Sequence, residues 1–197
     1  MYFRDLYLLF KHRKTVSRFV DRFENEYWTW YGRISRRLEK RICASVFYEY
    51  YSRIVDRETL LNAEYITHNI PSSQYNTHEG WMNAAKDLIR RYARAKYVIT
   101  SRIHCALPCL GVETPVIFVT SDALDNGMIR NAGRFGGLLD LLNVVRFGRE
   151  FKPVSPGMVS LFKAGKLSDK IEFSNPSDYK VFRDDLVSRV RSFLNNN

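Results

Sequence analysis

The sequence predicts an α/β fold: a Rossmann-like parallel sheet with flanking helices, preceded by a basic helical segment. Three observations carry this expectation. Residues 97–100 and 115–119 are short apolar runs bounded by polar or turn residues, as buried strands are. The stretch between them is apolar and helix-sized, opens on Arg102 and His104 and reaches a glycine at Gly111. Parallel neighbours need a crossover of that kind. Upstream, Trp81, Ala84, Ala85, Leu88, Ile89 and Tyr92 recur at three- and four-residue spacing, with Lys86, Arg90, Arg91 and Arg94 facing away.

Composition bounds the rest. A chain of 197 residues with 45% hydrophobic and 14% aromatic content can bury a core, which excludes wholesale disorder. The formal net charge of +10 points to anionic partners without choosing among them. The three cysteines, Cys43, Cys105 and Cys109, form no disulfide framework and fit a reducing compartment. The opening apolar run is broken by Arg4 and Asp5, too short to span a bilayer and without a cleavage signal. The expected location is cytoplasmic, with peripheral contact at the inner face of the membrane.

In chain order, residues 1–60 form the basic segment and 61–197 the Rossmann-like domain. Between Lys11 and Arg41 cations interleave with Phe19, Phe23, Tyr27 and Trp30, whose spacing lines one helical face with aromatics. Packing on the protein body and contact of 11–41 with an anionic membrane both suit this pattern. Nucleic acid is not expected, because no stacking-sheet or zinc-finger pattern accompanies the charge. Residues 64–68 read as a first strand, 80–95 as a helix, 97–100 as a strand, a helical turn follows from Arg102, and 115–119 is the next strand. A turn-rich loop spans 121–127, and Phe135, Leu138, Leu139, Leu141 and Leu142 suggest another helix. Residues 145–176, with Pro153, Pro156, Gly157 and Gly165, read as mostly irregular. Tyr179, Phe182, Leu186, Val190 and Phe193 define a terminal amphipathic helix capped by Ser177.

The candidate site follows from this order. Arg102 and His104 fall on the first turn of a helix at the carboxyl end of a strand, where open α/β sheets bind anions. A guanidinium matches phosphate and carboxylate oxygens in two-point geometry, and a nearby imidazole suits proton transfer near neutral pH. A structural arginine and a satisfied histidine fit the same spacing. Thr100 and Ser101 lie in the same turn, and His68 ends the first strand candidate. Arg130 and Arg134 follow the last strand and lie within reach of the same edge, as do solvated loop residues in general. Cys105 and Cys109 share a helix face with His104 adjacent, but zinc needs three or four converging ligands, so they read as core fillers and no metal is assigned.

Residues 83–110, from Asn83-Ala84-Ala85 through Tyr92-Ala93-Arg94-Ala95 and Val98-Ile99-Thr100-Ser101 to Arg102-Ile103-His104, followed by Gly111 and Pro115-Val116-Ile117, resemble the polysaccharide pyruvyl transferase family. The resemblance is specific over about residues 64–145. It implies transfer of pyruvate from phosphoenolpyruvate, as a cyclic ketal, onto two hydroxyls of a sugar in a surface or extracellular polysaccharide. It also implies one half of a GT-B-like, two-Rossmann architecture, the half that binds the donor. By position, Arg102 would hold the donor's phosphate or carboxylate, and His104 would bind the same anion and act as acid–base group. Cofactors implied: none, with phosphoenolpyruvate as donor substrate.

Two departures shape the expectation. Too few residues precede the first predicted strand for a second Rossmann unit, so the sequence reads as a truncated or split member whose acceptor half, recognising a saccharide or lipid-linked glycan, comes from a partner chain. Some relatives carry a lysine after the strand at 115–119 that this loop lacks, leaving Arg130 or Arg134 as substitutes. Two alternatives stand beside this reading: a GT-B glycosyltransferase fragment using a nucleotide-sugar donor, and a non-catalytic scaffold for glycan assembly.

Overall fold

The structure, a computed structural model, describes residues 3–22, 36–66, 77–120, 124–125, 128–129, 137–147 and 151–195. The chain divides into two compact units, Met1–His78 with Gly165–Ile171, and Glu79–Ala164 with Glu172–Asn197. The return of Gly165–Ile171 to the first unit has a local cause. Leu167 forms a parallel bridge with Val55, donating its N–H to the Ile54 carbonyl (2.7 Å) and accepting from the Asp56 N–H (2.8 Å).

The first unit is helical. Helix α1 (Phe3–Val16) packs against α2 (Arg36–Tyr51), and a short α3 (Arg57–Asn62) follows, N-capped by Asp56, whose carboxylate accepts the Thr59 N–H. Its core joins Val16, Phe19, Val20, Ala44, Leu61 and Tyr65. The helical face expected to start at Phe19 does not form there: α1 ends at Val16, and a 3-10 turn occupies Val20–Arg22. Ser17 takes part in ending it, since its Oγ donates to the Lys14 carbonyl, while the Arg18 and Phe19 N–H groups shift to partners three residues back. Phe19 therefore does not continue an aromatic stripe. It is 1% exposed, stacked on Tyr65 with centroids 5.5 Å apart, and α1 instead exposes Phe3, Tyr7 and Phe10. Phe23, Tyr27 and Trp30 lie outside the described residues.

Of the strand expected at 64–68, the described part, residues 64–66, is not among the strands of the four-stranded sheet. Within the described 64–66, Tyr65 holds a single bridge position. Its ring packs edge-on to Phe47 at 5.3 Å and its hydroxyl donates to the Leu60 carbonyl at 2.6 Å. Burial among aromatics accounts for its apolar character.

The second unit is α/β, with a mostly parallel sheet flanked by helices, as the sequence predicts. Helix α4 (His78–Arg94) leads to β1 (Val98–Thr100), α5 (Ile103–Gly111) and β2 (Val116–Thr120). After a two-stranded antiparallel hairpin of β3 (Leu124–Asp125) and β4 (Met128–Ile129) come β5 (Asn143–Phe147), β6 (Phe151–Pro153), α6 (Pro156–Ala164) and α7 (Tyr179–Asn195). The sheet order is β1-β2-β5-β6. β1, β2 and β5 are parallel, in register Thr100 with Phe118 and Phe118 with Val144, and β6 is antiparallel to β5. β2 is buried at all five positions, as a central parallel strand should be.

Two stretches differ from expectation. Residues 145–164 hold more regular structure than expected, while 165–176 are irregular apart from the Leu167 bridge: Pro153 ends an edge strand, where a missing N–H is tolerated, and Pro156 is the first residue of a helix, where its missing N–H has no helical partner to lose. The predicted helix around Leu138 is, in its described part, only a 3-10 turn (Leu138–Leu141) after Gly137, whose φ of 77° requires glycine. The terminal helix forms where it was predicted, but of its apolar residues only Tyr179 is buried, while Phe182, Leu186, Val190 and Phe193 are exposed, and the Ser177 hydroxyl contacts Asp178 instead of capping the helix. Ser177 joins its start through a carbonyl that accepts the Lys180 N–H.

Candidate functional site at the carboxyl end of the sheet

The turn from β1 into α5 builds the site. The Thr100 Oγ1 accepts the Arg102 N–H at 3.0 Å, closing a tight turn at the strand's end, and Arg102 becomes the N-cap with extended backbone. Its carbonyl starts the helix, accepting the N–H groups of Cys105 and Ala106 (3.0 Å each). The N–H groups of Ile103 and His104 thus belong to the helix's first turn, which has no partner within the helix. Ser101, Arg102 and His104 are exposed, and Thr100 is half-buried. Among the described residues neither the Arg102 guanidinium nor the His104 ring makes a hydrogen bond or ion pair. Cation, imidazole and helix N-terminus therefore all face solvent at one strand end.

Beneath this turn α5 is tightly held. Ala106 and Cys109 are fully buried, and Cys105 hydrogen-bonds with both Cys109 and Tyr92. The hydrogen bond to Cys105, then burial, pushes the Cys109 thiol well above its usual range, and burial does the same to the Tyr92 phenol. These groups stay protonated and serve packing. Among the described residues no three His, Cys, Asp or Glu side chains converge as metal ligands would. The helix runs through Pro108 without ending. It closes two residues beyond Gly111, where Glu113 adopts φ of 61° and the Thr114 and Glu113 N–H groups bond back to the Cys109 and Leu110 carbonyls (2.9 and 3.1 Å). That is the hydrogen-bond pattern of a glycine-terminated helix, with glutamate in the left-handed position.

β2 ends on Thr120, 5% exposed, which is in register with Arg146 on β5. Arg146 thus places a half-buried cation at the carboxyl end of the third parallel strand. Sequence reasoning missed it because β5 was not recognised; Val144-Val145 ahead of an arginine was the only signal. His68, Arg130 and Arg134 lie outside the described residues.

Among the described residues no helix is long and apolar enough to cross a membrane. No curated protein and no solved structure is significantly similar to the chain. The sequence model of the polysaccharide pyruvyl transferase family matches residues 6–123, more than half of the chain. The match begins within α1 and runs beyond β2, so it takes in Arg102 and His104. It also reaches much further toward the amino terminus than the resemblance read from 64–145. On this match, the chain belongs to the polysaccharide pyruvyl transferase family, a family of transferases.

Proposed function

We propose that the protein transfers a pyruvyl group from phosphoenolpyruvate to two hydroxyls of a saccharide or lipid-linked glycan, in assembly of a surface polysaccharide or capsule. The observation that carries this reading is the family match across a strand-to-helix turn whose Arg102 and His104 are exposed and unpaired among the described residues. In this reading Arg102, Ser101 and the α5 N–H groups hold the donor's phosphate or carboxylate, and Thr100 sets the turn. His68, Arg130 and Arg134 are the further donor-binding residues of this reading. Their basic character suits a trianionic donor.

The chemistry needs one proton moved and one charge held. Protonation of the donor's methylene carbon makes the adjacent carbon electrophilic. One acceptor hydroxyl adds there and loses its proton, and the second displaces phosphate to close the ketal. Of the two hydroxyl protons, one replaces the proton taken by the new methyl group and the other leaves with inorganic phosphate. In this reading His104 shuttles these protons, and Arg102 stabilises the departing phosphate. The acceptor is recognised outside the donor turn, by a partner chain in this reading. Contact with an anionic membrane through 11–41 would use the exposed Lys11, Arg13, Lys14 and Arg18, since Phe19 is buried.

Phosphoenolpyruvate should raise the melting temperature of the full chain, by about 2.7 kcal/mol of added stability at a hundred times its dissociation constant. Arg102→Ala and His104→Ala should each abolish the gain. A shift that survives both substitutions sinks the assignment.

A further inference from the structure

The first unit contains a cavity of about 520 Å³ that the proposed reaction does not use. It lies between α1 and the end of α2, with Arg57 from α3 and Lys166 from the returning segment 165–171 on its wall. Its charge is lopsided. Lys11, Arg53, Arg57 and Lys166 are four cations facing one carboxylate, Glu49, with His12 beside them.

Glu49 does not neutralise the whole set. It accepts from the Lys11 Nζ (2.8 Å), pairs with the His12 Nε2 (2.6 Å) and lies 3.5 Å from Arg53. Although burial works against it, the hydrogen bonds from Lys11 and His12 hold this carboxyl down at about 2, so its single negative charge is fixed. Among the described residues Lys166 meets only a carbonyl, that of Ser52 at 2.6 Å, and Arg57 has no hydrogen bond or ion pair. Two cations thus remain without a carboxylate on a concave wall, which focuses positive potential into the cavity. The same wall carries the hydroxyl-bearing side chains Thr15, Tyr48 and Ser52. The volume lies in the range of sites for small organic ligands and exceeds what a bare inorganic ion fills.

We infer that this cavity binds a phosphate ester of a polyol, its phosphate on Arg57 and Lys166 and its hydroxyls against Glu49 and the neutral side chains. The ester is either free in solution, as a sugar phosphate, or the headgroup of a lipid. The site shares no residue with the Arg102–His104 turn and stands whether or not that turn uses phosphoenolpyruvate.

The test uses the full chain carrying Arg102→Ala, so that binding at the sheet edge does not contribute. Glucose 1-phosphate is titrated calorimetrically, and phosphatidylcholine vesicles with and without phosphatidylinositol 4-phosphate are used for co-sedimentation. Replacing both Arg57 and Lys166 by Ala should weaken binding about tenfold or more, and Lys166→Arg should retain it. Both side chains are exposed, so these variants should fold, and an unchanged melting temperature confirms it. Binding of glucose 1-phosphate that depends on the two cations supports the free ester. Co-sedimentation that needs the phosphoinositide and the two cations supports the lipid headgroup. If neither probe binds, or if binding is indifferent to Arg57 and Lys166, the inference is overturned.

Discussion

The two ends of the parallel sheet carry similar polar residues and treat them differently. At the amino-terminal end, Asn175 donates to the Thr114 carbonyl (2.8 Å) and accepts the Val116 N–H (2.9 Å), so one side chain ties the segment before α7 to the start of β2. Asn143, opening β5, donates to the Ser174 carbonyl (3.0 Å), and the Thr114 hydroxyl donates to the Tyr92 carbonyl (2.9 Å). At the carboxyl-terminal end Thr100 is taken up by the turn, while Arg102 and His104 stand exposed without described partners. A polar side chain whose partner is backbone of its own unit is a fastener. One left facing solvent on a helix N-terminus is available to a ligand, and open α/β sheets present ligands at that end.

The comparison can be broken at three levels. Phe118, at the centre of β2 and 2% exposed, supports both ends, and Phe118→Ala should cost about 3–5 kcal/mol in denaturant unfolding, abolishing the ligand response with the fold. A loss below about 1 kcal/mol would mean the sheet is not the common floor of the two ends. Asn175→Ala should come next, costing about 1–3 kcal/mol because two buried backbone groups lose their partner. Its phosphoenolpyruvate-dependent gain in melting temperature should persist, whereas Arg102→Ala should leave unliganded stability within about 0.5 kcal/mol. The reverse pattern, a stabilising Arg102 and a dispensable Asn175, would contradict the assignment of roles.

The smallest effect is expected at Glu113. Its left-handed backbone favours glycine, and its carboxylate is held by hydrogen bonding to Arg183, with Lys180 3.9 Å away. The Arg183 hydrogen bond, then the Lys180 charge, keeps this carboxyl below its usual range. Such a group stabilises the fold above its unfolded-state value and loses that contribution as pH falls through the folded-state one. Glu113→Gly should therefore raise the melting temperature slightly at neutral pH, by relief of the backbone, and the advantage should widen as the solution is acidified. An advantage that shrinks on acidification would show that the ion pair is not what offsets the strain.

Much of the site was legible because its signals are local. Apolar runs at 97–100 and 115–119, helical spacing before and between them, and Arg102 and His104 in the connection place a cation and an imidazole on a strand-to-helix turn before any contact is known. Arg146 was not legible, because β5 and β6 are short strands defined by each other and by β2, and their Pro and Gly neighbours read as loop signals. Tyr65 misled for a related reason: a β-former surrounded by polar residues looks like a strand position until Phe19 and Phe47 bury it.

By itself the sequence determined the α/β class, the strand-helix-strand order around the site, and the family, since periodicity and a contiguous motif are properties of neighbours along the chain. Tertiary structure alone decided what depends on distant partners. It buried Phe19 against Tyr65 beyond the end of α1, where periodicity had placed it on one helical face with Phe23, and it carried Gly165–Ile171 back to Val55. It gathered Lys11, Arg53, Arg57 and Lys166 around a single carboxylate. Residues more than a hundred positions apart meet only when long-range packing closes the loop between them, and no local pattern encodes that closure.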